Sequence, residues 1–420
     1  MKKIFRKALL VSIFSACSAL SFATEFSGDL LSKPRRYFEI GVDAKVSAAN
    51  SNFGLKDIFK KNIVIDLKQL AQDIPDDGFS FALHNTEKVF MNLNVNSRFR
   101  MSLFTELEAS SKFTIAKDLF EIIGEGFAVG STKNVDVTGY ADVFANIGLS
   151  FQTLIKDYAV KITPVYCIPI VYVPKTTASS KITTDSSGAI RADAEANLDI
   201  YTAINMHDFM EVGKSYDNLH LDYKNILSKG GFDLSFEIER NWLESLNAGL
   251  YTRIPVIPGT LDYKMSTRVW AYAYESNILG YLNDTESHGK DYGHDDFVYS
   301  EDKLKVYRPL RLGVNATYMP FGEWLKIQPQ IGFALRNPYS SGMVFYPEYA
   351  LDLRLSLLWK IINFNVGTAY QNQIFQQRFG FSFDFRVLQI VTQASLCGTT
   401  LISSFKRDGY GAFVGVRLGF

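Results

Sequence analysis

The sequence is poor in most features that mark a soluble enzyme or a nucleic-acid binder. It has no excess of either charge, 44 Lys and Arg standing against 44 Asp and Glu in 420 residues, which excludes a basic nucleic-acid surface and a charged tail. Three cysteines cannot build a disulfide framework, and Cys167 and Cys397 are expected to be unpaired packing residues. There is no phosphate-binding loop, dinucleotide glycine fingerprint, nucleophile elbow or zinc-type cysteine spacing. No apolar run beyond residue 24 approaches the eighteen residues of a membrane-crossing helix. An enzyme is therefore not expected, and neither a cofactor nor nucleic acid is implied.

Few groups remain that could carry chemistry. His288 and His294 lie in a stretch, 284–296, rich in Asp and Glu that could chelate a cation, but a solvated acidic loop has the same composition, so no metal site is expected. Asp193 with Glu195, and Glu237 with Glu239, lie two apart and share a strand face. With no nucleophile beside them, they read as partners for Arg and Lys.

The N-terminus has Lys2, Lys3, Arg6 and Lys7 ahead of an apolar, Ser-diluted run that ends at Ser21-Phe22-Ala23. This is the layout of a secretory signal peptide, residues 1–23, cleaved before Thr24. Two other readings stand beside it: lipidation at Cys17, within Phe14-Ser15-Ala16-Cys17, and a retained N-terminal anchor.

The rest of the chain is rich in Phe (33) and Tyr (22), which suits strands, and it alternates with a period of two. From Phe38 to Ala48 every even position is apolar and every odd one is polar, charged or Gly. Val89, Met91, Leu93, Met101 and Leu103 oppose Asn92, Asn94, Arg98 and Arg100. Residues 190–200, 232–239 and 378–386 repeat the pattern. These runs are longer than the five or six residues typical of soluble strands and suit tilted strands crossing an apolar band of about 25 Å. The apolar face would meet lipid and the charged face a lumen. The chain ends with Ala412, Val414, Val416, Leu418 and Phe420 on one face, resembling the signal that outer-membrane proteins present to their insertion machinery.

The expected fold is all-β: a transmembrane antiparallel β-barrel of about fourteen strands, within twelve to sixteen. The expected crossings are 37–50, 88–105, 140–152, 157–173, 190–206, 230–240, 245–275, 304–319, 323–336, 345–359, 361–373, 376–388, 389–402 and 410–420. With the C-terminus periplasmic, the turns near Trp242, Gly322, Lys360 and Leu388 are short and periplasmic, and 276–303 is a long outer loop. Two features resist this scheme: the short 153–157 turn falls outside with the 174–189 loop inside, and 245–275 is too long for one crossing, broken by Pro255 and Pro258. Apolar residues three and four apart predict helical inserts around 55–75 and 113–124, placed either as a lumen plug or at the rim.

A signal peptide, about fourteen long strands, early helical inserts and a terminal Phe strand together resemble the long-chain fatty-acid transporter (FadL-like) family of outer-membrane proteins. Residues 37–43, Tyr-Phe-Glu-Ile-Gly-Val-Asp, and 253–261, Arg-Ile-Pro-Val-Ile-Pro-Gly-Thr-Leu, look like uncharacterised spirochaetal barrels grouped with it. The resemblance implies an outer-membrane location and uptake or binding of small, hydrophobic, fatty-acid-like molecules. Family members carry an N-terminal hatch before the first strand. This chain has only Thr24 to Arg36 there, so a plug is expected from 51–87 or 106–139, and no binding residue is transferred.

Arg98, Arg100, Arg253, Arg268, Arg311, Arg354 and Arg378 share the inferred lumen parity; they either hold an anionic headgroup or neutralise lumen carboxylates. The expected partners are outer-membrane lipid, the insertion machinery, which would read Val416, Leu418 and Phe420, and a hydrophobic ligand; the barrel is expected to be a monomer. Two other functions remain open: a surface adhesin acting through 207–229 and 276–303, and a non-selective porin.

Overall fold

In the computed structural model the alternation resolves into a closed antiparallel barrel. The structure describes residues 30–32, 36–52, 67–96, 98–126, 128–186, 189–206, 223–275, 288–340, 342–406 and 408–420. The proposed leader, with Cys17 and the cleavage site, lies outside them, as do 53–66, 207–222 and 276–287 within the proposed inserts and loops.

The first five strands, β1 (Phe38–Asn50), β2 (Phe79–Asn94), β3 (Phe99–Ile115), β4 (Thr132–Ile155) and β5 (Tyr158–Thr184), pair in chain order. β6 (Ile190–Thr202) then leaves the wall, and β7 (Gly231–Leu243) takes its place beside the lower half of β5. β8 (Leu246–Ile257) follows β7, while β9 (Gly259–Glu275) pairs with β6 along one edge and with β10 (His288–His294) and β11 (Val298–Val306) along the other. The wall resumes with β12 (Leu310–Tyr318), which pairs with β8. After the short β13 (Pro320–Glu323) come β14 (Leu325–Arg336), β15 (Val344–Leu357), β16 (Ile362–Gln371), β17 (Ile374–Asp384), β18 (Leu388–Gly398) and β19 (Gly409–Gly419). β19 pairs with β1 from Glu39–Gly419 to Ala49–Gly409, and the ring of fourteen strands closes.

The expected count of fourteen is right, but through two errors that cancel. Segment 88–105 is not one crossing: β2 and β3 meet there at a hairpin around Val95 and Asn96. Segment 190–206 is not a crossing at all, because β6 stands outside the wall. The hidden hairpin also explains the inverted 153–157 turn, since one missed crossing reverses every side assignment until the next error restores it. The break in 245–275 falls at Pro258, between β8 in the wall and β9 outside it. Two further runs break as well: 304–319 is interrupted between β11 and β12, and 389–402 ends at Gly398.

Length decides where the membrane ends. β4 has 24 residues and β5 has 27, about 80 to 90 Å at the usual rise, far more than a tilted crossing needs. Their outer halves, joined by β6, β9, β10 and β11, form a sheet beyond the barrel. Its core packs Phe144, Tyr172, Tyr201, Leu261 and Val306.

The helices are short: α1 (Leu67–Asp73), α2 (Lys117–Glu125), α3 (Tyr223–Ser228) and α4 (Leu401–Lys406). α2 packs on α1 and on β4. The Phe79 and Phe120 rings meet at 6.1 Å, tilted by 54°, Lys117 reaches Asp76 at 2.8 Å, and Lys133 on outer β4 bonds Glu121 at 2.5 Å. The described part of the inserts thus sits at the outer rim.

The opposite end carries the short turns and an aromatic girdle. Trp242, Trp324, Trp359, Phe321, Phe385 and Phe420 are all exposed there, as rings at a headgroup boundary are. Ile40, Val42, Val89, Leu103, Leu353 and Val366 are exposed along the strands, forming the lipid face.

Candidate functional site

The lumen is charged and obstructed. Its centre is Arg308, on the 307–309 link between β11 and β12, which is 2% exposed. It donates to Glu108 Oε2 at 2.7 Å and to Asp233 Oδ2 at 3.2 Å, with Glu106 Oε1 at 3.5 Å. Glu106 and Glu108 are on β3 and Asp233 is on β7, so one guanidinium joins walls separated by β4 and β5. Arg253 on β8, fully buried, donates from Nε to the Pro309 carbonyl at 3.0 Å and lies 3.7 Å from Glu108.

Nearer the outer mouth, Arg336 on β14 makes a two-pronged bond to Asp142 on β4, at 2.6 and 2.8 Å, and lies over the rings of Tyr140 and Tyr172. Such planar pairing is what guanidinium chemistry favours. The β16–β17 turn folds inward here: Asn372 and Gln373 both have positive φ, 50° and 62°, as a two-residue hairpin of this hand requires. Asn372 accepts from Arg311 at 2.5 Å and meets His84 at 3.0 Å; Gln373 reaches Tyr140 and Lys112. A barrel strand turn therefore forms part of the obstruction, in addition to anything the inserts supply.

Below this layer lies a cavity of about 740 Å³, open toward the short-turn end. Nine basic side chains line it, among them Arg36, Lys88, Arg100, Lys161 and Arg354, against five acidic ones. Met101, Phe104 and Val165 supply an apolar patch. Phe90 and Phe104 lie across Gly41 and Gly148, where a Cβ would strike the ring, so glycine makes room for inward aromatics. The N-terminal lead also enters: the Leu30 amide donates to Glu239 at 2.6 Å, Gln152 donates to the Leu30 carbonyl at 2.7 Å, and Arg100 bonds the Ser32 carbonyl. This lead was too short to be expected as a hatch. Its described residues nonetheless stand in the lumen, Leu30 between Gln152 on β4 and Glu239 on β7 and Ser32 against Arg100 on β3.

The arginines singled out from parity divide. Arg100, Arg253, Arg311, Arg354 and Arg378 stand in the lumen, Arg311 3.5 Å from Glu348 and Arg378 2.8 Å from Asp352. Arg98 does not: it is exposed in the β2–β3 turn, which parity alone could not reveal. Arg268 does not either: it sits on β9 in the outer sheet, bonding Glu195 at 2.7 and 2.9 Å. Arg36, Arg308, Arg336 and Arg417 were missed. Arg336 and Arg417 have lumen parity on their strands, whereas nothing local marks Arg308. The paired acids are engaged: Asp193 with Arg191 at 2.8 Å, Glu237 with Lys161 at 2.5 Å and Glu239 with the Leu30 amide. Cys167 and Cys397 are buried and free. Of the possible cation stretch, 284–287 lie outside the described residues and 288–294 form β10; among the described residues no cluster suited to a metal occurs.

Val416 and Leu418 lie exposed on the outer face of β19. The terminal Phe420 accepts from the Tyr37 and Phe38 amides at 2.6 and 3.1 Å, and its ring meets Phe38 at 5.7 Å.

A closed fourteen-strand wall, lipid-facing outside and charged within, is an outer-membrane type of β-barrel. No family model and no curated protein matches the chain. Among solved structures it is similar to the toluene transporter TodX of P. putida, at 9% identity and TM-score 0.39, covering 96% of each chain. It is also similar to the Ralstonia pickettii toluene transporter TbuX, at 9% identity and TM-score 0.32, over 93% of this chain and 91% of that one. A third is the translocator domain of the autotransporter NalP from Neisseria meningitidis, at 8% identity and TM-score 0.34, over 100% and 96%. These likenesses concern barrel architecture alone.

Proposed function

We propose that the protein is an outer-membrane conduit, closed at rest, for small fatty-acid-like molecules with an apolar body and an anionic end. The observation that carries this is the chamber of about 740 Å³, with nine basic side chains against five acidic and an apolar patch at Met101, Phe104 and Val165. Its volume is of the order of small-molecule sites, roughly 300 to 1,000 Å³. The excess of cations would receive the anionic end, and the aromatic patch the body. The Arg308 network above it supports a gated route over an open porin, since a guanidinium bonded to two walls must move before a solute passes.

The test uses the barrel in lipid nanodiscs with decyl sulfonate, which stays charged at all working pH values, and decanol as its uncharged counterpart. Saturable binding of the sulfonate, weakened at least tenfold in Arg100→Gln with Arg354→Gln, is the expected result. Equal binding of decanol removes the anionic recognition. Swelling of barrel-loaded liposomes in arabinose at porin-like rates replaces the gated reading with an open pore.

The outer sheet favours a second reading, attachment to an extracellular partner, because it has its own core beyond the membrane. Adhesion of cells displaying the protein to host matrix, unchanged by the two chamber substitutions, would separate this role from uptake.

A further inference from the structure

On the outside of the barrel, a depression of about 550 Å³ crosses β7, β8, β12 and β14. Small residues form its floor: Ala248, Gly249, Ala316 and Pro329. Pro329 has no N–H to give a neighbouring strand, and the β12–β14 ladder runs from Asn315–Gln330 to Tyr318–Ile327 without pairing the two positions between. Leu250, Val314 and Ile331, all exposed, form its walls. Such a depression in a lipid-facing wall has the volume to take a hydrocarbon chain and is almost wholly apolar.

One end of it is not apolar. Arg240 alternates with Glu239 and Glu237 along β7 and so points outward, away from the carboxylates of the lumen. Its guanidinium lies 5.2 Å from the Tyr158 ring and 4.6 Å from the Trp242 ring, and its Nε meets no hydrogen-bond partner. Among the described residues no carboxylate pairs with it. An unpaired guanidinium on the lipid face is costly at the midplane and cheap only where it can reach a headgroup. The two rings hold it at that level, a few residues above the 244–245 turn. Cation and apolar channel thus sit end to end, in the order of a phospholipid's phosphate and acyl chain.

We infer that this groove is a specific site for one phospholipid of the periplasmic leaflet, its phosphate on Arg240 and an acyl chain along Ala248, Ala316 and Pro329. The charge decides the occupant: a protein helix would leave the guanidinium unanswered, and lipopolysaccharide belongs to the opposite leaflet. The site faces away from the lumen and is independent of what the lumen takes.

The experiment is native mass spectrometry of the barrel purified from outer membranes in mild detergent, stripped of lipid and titrated with dioleoylphosphatidylglycerol, dioleoylphosphatidylethanolamine or dioleoylglycerol. Both phospholipids should give one saturable adduct, because the phosphate is common to them. Dioleoylglycerol should bind at least tenfold more weakly, Arg240→Gln should weaken phospholipid by a similar factor, and Ala316→Trp should abolish the adduct. Ala248→Phe fills the same groove and stands in if Ala316→Trp does not fold, folding being scored by heat-modifiable migration. Unchanged phospholipid binding in Arg240→Gln and in the groove-filling variant, equal binding of dioleoylglycerol, or no saturable adduct in the parent barrel would each overturn the assignment.

Discussion

Replacing Arg308 by Ala should both destabilise the barrel and open it. The side chain is 2% exposed and lies 2.7 Å from Glu108, 3.2 Å from Asp233 and 3.5 Å from Glu106. Deleting one member of a buried ionic group typically costs about 3–5 kcal/mol, because the remaining charge loses its partner while staying desolvated. Two facts shift the expectation toward the lower end, about 3 kcal/mol. Arg253 still stands 3.7 Å from Glu108, and the chamber below can admit water to the carboxylates. Adding Asp233→Asn should cost less than the two single changes together, by about 1–3 kcal/mol, since both remove the same contact. Urea unfolding in lipid vesicles, followed by tryptophan fluorescence and heat-modifiable migration, gives the stabilities, and planar-bilayer recording gives the conductance. A loss below about 1 kcal/mol with a conductance as low as the parent's would refute the reasoning. It would mean that Arg308 neither bears a desolvated load nor closes the lumen.

Gly148→Ala places a methyl group against the Phe104 ring and should cost about 1–3 kcal/mol in the same urea assay, with Phe104→Ala in the same chain recovering part of it. Phe420→Ala removes the ring but keeps the backbone bonds to Tyr37 and Phe38, so refolding in detergent should survive while delivery to the outer membrane falls in cell fractionation; undiminished delivery would show that the terminal ring is not read. In the outer sheet, hydrogen bonds from Arg268 hold the Glu195 carboxyl below its ordinary value of 4.5. The pairing therefore favours the folded sheet above that pH and is lost as pH falls through the lower, folded value. Amide exchange at Ala194 and Ala196, extrapolated for intrinsic rate, should stay flat down to pH 4.5 and rise below it, and Glu195→Gln should remove the step.

How far the sequence could be read depends on the range of the interaction. Helical inserts were legible as periodicity, though their place at the rim rather than in the lumen was not, and the short turns were legible near Trp242, Gly322, Lys360 and Leu388. The β2–β3 hairpin had a local signal that alternation concealed: Asn94, Asn96 and Ser97 are turn formers in the middle of an otherwise continuous run. β6 carried one too, since its apolar positions include Ala192, Ala194 and Ala196, which offer lipid far less apolar surface than the Val, Leu and Phe of true crossings. Arg268 and Arg98 were misplaced for that reason: parity says which face a residue takes, and only membrane depth says what that face meets.

The sequence by itself determined the class of the molecule. A period of two fixes which side chains share a face, and repeated long runs with charges confined to one face admit few solutions besides a closed transmembrane barrel. Tertiary structure decided the interior. Arg308 finds Glu108 across 200 residues of chain, Asn372 finds His84 across 288, and Leu30 finds Glu239 across 209. Such contacts exist only once the ring has closed and opposite walls stand within a side chain's reach, so no local pattern encodes them.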